Sequence, residues 1–140
     1  MTEVSLPDGF TPHYRKSPLT DPWEPIYSCV DDESVRLGMF IREPHCNGRG
    51  VLHGGLIAAL SDNAMGHSCG EVIKNSGREI AGLVTISMTN DFVGSAKLGQ
   101  WMEIVPRVVK AGGSIAFVEC LVLADGEVIS RGSASFKILS

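Results

Sequence analysis

The sequence predicts an α+β domain, a single helix packed on one antiparallel sheet. Three observations carry that prediction: one helix-length apolar stretch centred on Leu56 to Leu60, four consecutive strand-like segments after it, and no alternation of strands with helices of the kind that builds parallel βαβ units. With 140 residues, 44% of them hydrophobic, the chain has the size of one domain and enough apolar side chains to bury a core without disulfide or metal staples.

Five of the seven prolines, Pro7, Pro12, Pro18, Pro22 and Pro25, fall within residues 1–25. Proline cannot donate to a ladder or sit inside a helix, so this segment is expected to be an irregular arm, with Phe10 and Trp23 packing onto the body. Residues 26–140 are expected to form the single domain. Ile26 to Val30 reads as a short strand, and Val35, Leu37, Met39 and Ile41 alternate with Arg36, Gly38 and Arg42 as in a half-buried strand, with a hairpin through Asp31 to Ser34 between them. A loop from Glu43 to Val51 leads into the helix, where Leu56, Ala59, Leu60 and Ala64 make an apolar stripe at helical spacing. A second loop, Lys74 to Arg78, opens the β region: Ile80 to Val93, Gln100 to Lys110, Ser114 to Ala124 and Glu127 to Ile138. Asp125-Gly126 between the last two is a hairpin signal. One helix cannot cover a long sheet and its edges, so a homo-oligomer is expected.

Composition narrows the function classes. Twelve Lys and Arg against 16 Asp and Glu give a formal net charge of −4 without a basic cluster, which argues against a nucleic-acid partner. Cys29, Cys46, Cys69 and Cys120 lie far apart with no Cys-x-x-Cys, and the first residues have neither a basic region nor an apolar core, so four reduced thiols in a cytoplasmic protein are expected. The apolar helix stretch falls short of the roughly 20 residues that cross a bilayer, so no membrane partner is expected.

The chemistry concentrates in Asn47-Gly48-Arg49-Gly50-Val51-Leu52-His53-Gly54-Gly55-Leu56, which runs into a helix carrying Asp62. Glycines permit close backbone approach to a ligand, and the first helical turn offers unpaired N–H groups at the positive end of the dipole, a setting suited to an oxyanion. Nine residues at about 100° each place His53 and Asp62 roughly 900° apart, on opposite faces of one helix. The simplest geometry uniting them in one site is a two-fold dimer, His53 from one subunit and Asp62 from the other. Read singly, each residue has a plainer role: His53 as a helix cap, Asn47 as a turn former, Asp62 as a solvated helix carboxylate. His67 with Cys69, or His45 with Cys46, would be the only metal candidates, and they lack the compact ligand spacing of zinc sites, so no metal is expected. Ser61 has no nucleophile elbow around it.

The run of Asn47, His53-Gly54-Gly55 and Asp62, with Leu83 to Met88 and Gly94 to Gly99 downstream, resembles hotdog-fold acyl-CoA thioesterases of the phenylacetate-degradation (PaaI-like) type, in the 4-hydroxybenzoyl-CoA thioesterase-like superfamily. It covers roughly Val35 to Ile138. The resemblance implies a five- or six-stranded antiparallel sheet wrapped around one long central helix, dimers joined edge to edge that commonly pair into tetramers, and active sites at the dimer interface. It implies that the Gly54 N–H polarises the thioester carbonyl, that Asn47 lies beside the thioester, that His53 positions the loop or substrate, and that Asp62 arrives across the dimer to activate water or attack directly. Thr85 matches the position where relatives often carry a water-orienting serine, with Ser87 as the fallback. Gly55, Gly113 and Ser114 are implied substrate contacts, although Lys110 to Ser114 also reads as a plain hairpin turn. No cofactor is implied.

The expected activity is hydrolysis of an aryl or medium-chain acyl-CoA, with a non-catalytic acyl-CoA binding or sensing module as the alternative and a hydratase on the same fold as a third. Arg49, Arg78, Lys97, Lys110 and Arg131 are the cations open to the coenzyme phosphates, and Met39, Leu56, Met65, Met88 and Phe92 the side chains expected to shape the acyl pocket.

Overall fold

The computed structural model describes residues 5–140. Seven strands, β1 (Thr11–Pro12), β2 (Tyr27–Val30), β3 (Val35–Phe40), β4 (Gly82–Phe92), β5 (Trp101–Ala111), β6 (Ile115–Ala124) and β7 (Glu127–Leu139), form one sheet, and α1 (Gly54–Asn75) packs across it. The strand order is β1-β2-β3-β5-β6-β7-β4, and every neighbouring pair is antiparallel. This is the expected α+β architecture, a sheet around one long helix of roughly 33 Å, with seven strands where five or six were expected because the arm adds the two-residue β1 at one edge.

Alternation builds the sheet's two faces. In β6 the residues Ala116, Val118, Cys120, Val122 and Ala124 are buried while Ile115, Phe117, Glu119 and Leu121 face outward. The inner face meets Leu56, Ile57, Leu60, Ala64, Met65, Cys69 and Ile73 of the helix. Ser68, buried among them, accepts from Val35 N–H at 2.9 Å and donates to Ala64 C=O at 2.7 Å, which ties the helix to the start of β3. Leu60 is 1% exposed at the centre of this contact. Leu60→Ala is expected to destabilise the fold by about 2–5 kcal/mol, read as a lower denaturant midpoint at unchanged slope.

Turn chemistry sets the boundaries. Asp125 and Gly126 both adopt positive φ, 46° and 86°, the pairing of a two-residue primed hairpin turn, and Gly77 at φ 83° ends the helix. Bulges interrupt the ladders at Thr85/Ser87, Val108/Lys110 and Val122/Leu123, and such extra residues bend a sheet around what it wraps.

Most of the proline-rich arm is irregular, yet it is built into the body. Thr11 and Pro12 pair with Ser28 and Tyr27 as a two-residue edge strand, the sheet position that tolerates proline. Phe10 is buried edge-on against Trp101 with centroids 5.2 Å apart, and Trp23 packs on the core, as expected. Arg42 donates to the backbone carbonyls of Trp23 and Glu24, pinning the arm to the loop before the helix. Among the described residues no helix is long and apolar enough to cross a membrane.

Candidate active site

The loop that enters the helix is held from several sides. Asn47 accepts through Oδ1 from Arg49 N–H at 2.9 Å and Val51 N–H at 3.3 Å, closing an Asx turn that Gly50 completes at φ 75°. Asn47 is therefore a turn former through its carbonyl, while its Nδ2 has no partner among the described residues. Leu52 N–H donates to Ala96 C=O at 2.8 Å and Val51 bridges Lys97, which anchors the loop to the segment after β4. Behind the loop, buried His45 accepts from Arg42 N–H through Nδ1 and meets Trp23 C=O through Nε2, both at 2.9 Å. Both ring nitrogens of His45 are thus engaged by backbone, and burial pushes its pKa down.

His53 is the N-cap of α1, extended at φ −73° and ψ 131°, and its Nδ1 accepts from Gly55 N–H at 2.8 Å. Its carbonyl accepts from Leu56 and Ile57 N–H. These bonds leave the Gly54 N–H as the first-turn amide without an acceptor among the described residues, at the positive end of the helix. A Cβ on Gly55 would sit 3.0 Å from the His53 ring, so glycine there admits the capping imidazole. A Cβ on Gly54 would meet the Phe92 ring at 3.4 Å, which places that aromatic beside the open amide.

Asp62 is half-buried, and its Oδ1 accepts from Thr85 Oγ1 at 2.7 Å, a charge-assisted bond that leaves Oδ2 available. Ser87 instead pairs with Ser135 at 2.9 Å. The bulge at Ile86 makes this distinction. Before it Leu83 and Thr85 oppose Ile138 and Phe136 on the helix face, and after it Met88, Asn90 and Phe92 take that face. Strict alternation from Thr85 would have turned polar Ser87, Thr89 and Asp91 inward.

The protomer brings Asp62 and Thr85 together, and it brings Asn47, His53, Gly54 and Gly55 together, but it separates the two groups. Eight helical residues from Gly54 to Asp62 span roughly 12 Å along the axis. Gly113 and Ser114 lie elsewhere again, in the β5–β6 turn beyond the C-terminal end of the helix, where Arg78 donates to the carbonyls of Gly112 and Gly113. Arg78 is thereby committed to that turn, and Arg131 to an ion pair with Asp91 at 2.9 Å. Arg49, Lys97 and Lys110 make no ion pair among the described residues.

Three of the expected acyl-pocket residues are corrected. Met39 and Met65 at 0% exposure and Leu56 at 4% belong to the protomer core, Met39 on the inner face of β3 and Leu56 and Met65 on the sheet-facing stripe of α1, whereas Met88 and Phe92 lie on the edge strand β4. Ser61 is also fully buried. Burial pushes the Cys69 thiol up to about 11 and raises Cys120, so neither supplies a thiolate near neutral pH. Sequence reasoning missed what surrounds Asp62. An open groove of about 550 Å³ runs along the helix past Asp62, Gly66 and Gly70, with Thr85 and Phe136 on one wall and Tyr14 of the arm on the other. The glycines at four-residue spacing were the legible signal of a bare helix face.

The sequence pattern of the thioesterase superfamily matches residues 49–136. The protein named "Putative esterase PA0474" of Pseudomonas aeruginosa is 32% identical over 137 residues, covering 96% of this chain and 98% of its own length. Acyl-coenzyme A thioesterase 13 of Homo sapiens is 37% identical over 98 residues, which span 67% of this chain and 65% of that protein. The PaaI protein from the phenylacetic acid degradation operon of E. coli superposes with a TM-score of 0.72 at 16% identity, covering 82% of this chain and 80% of that one, a likeness of fold. The chain belongs to the thioesterase superfamily: it is a thioester hydrolase with the hotdog fold that it shares with the phenylacetate-degradation protein.

Proposed function

We propose that the protein hydrolyses an aryl or medium-chain acyl-CoA to free acid and CoA, in sites assembled between two protomers. The observation that carries this reading is the separation of two half-sites on one helix, an open Gly54 amide at its start and a Thr85-held carboxylate at Asp62, too far apart to meet one carbonyl carbon. A two-fold partner supplies the missing half to each. Strand β4 offers the edge for it: an eleven-residue strand with a neighbour on one side only, and with Val84 51% and Ile86 53% exposed. The outward apolar side chains Val109, Phe117 and Leu121 favour a further pairing of dimers.

In the mechanism, the thioester carbonyl oxygen accepts from Gly54 N–H, with the helix dipole behind it and the Asn47 Nδ2 beside it. Asp62 takes a proton from a water whose oxygen attacks the carbonyl carbon, and Thr85 holds the carboxylate in place. The tetrahedral oxyanion collapses, the C–S bond breaks, and CoA leaves as a thiolate that needs little proton assistance. His53 keeps the Gly55 amide occupied, so the Gly54 amide is the one offered to the substrate. In this reading Arg49 and Lys97, the latter bridged to Val51 of the loop before the helix, meet coenzyme phosphates, and Lys110, Gly113 and Ser114 meet the coenzyme of a neighbouring protomer. Four free cysteines fit a reducing compartment such as the cytoplasm.

A panel of acyl-CoA thioesters with a chromogenic thiol reagent tests the reading. Stoichiometric release of CoA and free acid is expected without added metal. Tight acyl-CoA binding in calorimetry with no thiol release would instead make the protein a binding module.

A further inference from the structure

Asn47 and Gly54, the two groups placed at the thioester carbonyl, stand at opposite ends of one loop, and that loop is closed at a neck. Cys46 and Leu52 form an isolated bridge, and immediately outside it His53 N–H donates to His45 C=O at 3.0 Å. Asn47 lies one residue inside this neck and Gly54 just beyond it. Whatever fixes residues 45 and 53 therefore fixes how the two groups stand to one another.

His45 is anchored by more than that carbonyl. It ends the short turn Glu43–His45, is 1% exposed, and lays its ring back over the start of the turn. A backbone N–H can only donate, so the 2.9 Å bond from Arg42 N–H makes Nδ1 the bare nitrogen and puts the ring proton on Nε2. Nε2 then donates to Trp23 C=O at 2.9 Å. The Arg42 guanidinium donates to the Trp23 and Glu24 carbonyls, so neighbouring side chains hold two consecutive peptide groups of the arm. A buried ring with both nitrogens committed to backbone cannot rotate without leaving polar groups unpaired. One imidazole thus links the arm to the residue whose carbonyl holds the N-cap of α1.

We propose that His45 is a positioning residue for thioester hydrolysis, and that through it the proline-rich arm fixes the Gly54 amide where the oxyanion needs it. His45 touches no substrate; it acts through the His53 N–H and the amide that follows. The inference rests on the thioesterase reading, and it adds to it a residue and a segment that the reading does not use. Misplacing a reacting group by about 1 Å can cost on the order of 10²-fold in rate, while coenzyme binding made by other residues is left intact.

His45→Phe keeps a buried ring and deletes both of its hydrogen bonds. It is expected to lower kcat roughly 10–10²-fold with KM near the wild-type value, read on hexanoyl-CoA with a chromogenic thiol reagent. His45→Asn, whose Oδ1 replaces Nδ1 as the acceptor for Arg42 N–H, should recover part of that loss, and it serves if His45→Phe fails to fold. A double variant separates positioning from general weakening. Once Gly54→Pro has removed the amide there is nothing left to position, so adding the His45 substitution should cost little further kcat. An equal loss in both backgrounds, a rise in KM at unchanged kcat, or wild-type kinetics in the single variant would overturn the proposal. Amide exchange and NMR shifts of the substrate-free protein read the same link without turnover. His45→Phe should speed exchange at His53 and shift the Gly54 amide resonance while the β6 amides stay as they were. Unaltered His53 and Gly54 amides would overturn the positioning role whether or not the wild-type protein hydrolyses a thioester, so the two failures are separate results.

Discussion

Asp62→Asn is expected to lower kcat by roughly 10²–10⁴-fold while KM, the thermal midpoint and the oligomeric state stay near their wild-type values. The amide retains the size of the carboxylate and an oxygen that accepts from Thr85 Oγ1, so the 2.7 Å contact and the helix geometry survive. What disappears is the basic oxygen opposite that contact. The other basic groups lining the groove, His67 and Glu71, lie further along the helix, more than one turn beyond Asp62, and neither bonds to Thr85. Thr85→Val should have a smaller effect, because it removes the support of the carboxylate and not the carboxylate itself. Wild-type turnover by Asp62→Asn would remove the assigned base.

Gly54→Pro should lower the rate by about 10²–10³-fold, the usual cost of losing one oxyanion donor, with little loss of stability. Proline is the one substitution that deletes a backbone N–H, and the first helical position tolerates it because that N–H has no intrahelical acceptor. Local geometry favours the experiment. His53 already has the extended conformation, φ −73° and ψ 131°, that a following proline requires, and the new Cβ would meet the Phe92 ring at 3.4 Å, an ordinary contact.

Combining the two variants tests the shared site. Neither Gly54→Pro nor Asp62→Asn dimers should turn over substrate, yet a mixed dimer rebuilds one complete site from the Asp62 of the first chain and the Gly54 amide of the second. Random exchange makes half the dimers mixed, each with one working site of two, so about a quarter of wild-type activity should return. No recovery in demonstrably mixed dimers would show that both groups must come from one chain.

Much of the fold was legible because it rests on local rules. The helix start is announced by a glycine-rich loop before an apolar stripe, the strands by period-two alternation, and the β6–β7 hairpin by Asp125-Gly126, whose two positive φ angles few other residue pairs accept. The arm was legible only in part. Its prolines predicted irregularity, but nothing local shows that His13 and Tyr14 would lie beside His67, more than fifty residues away. Met39, Leu56 and Met65 illustrate the same boundary from the other side: their apolar character was plain, but whether it served the core or a pocket depended on which faces of the helix and the sheet met each other.

The sequence by itself determined the type and order of the elements and the chemical groups at the helix start, because hydrophobic periodicity, turn residues and backbone freedom act over a few neighbouring positions. Only the tertiary structure decided which hydroxyl meets Asp62. That choice of Thr85 over Ser87 hangs on the unpaired Ile86 in the β4–β7 ladder, and a bulge is set by how a sheet must bend around its helix rather than by the residues that form it.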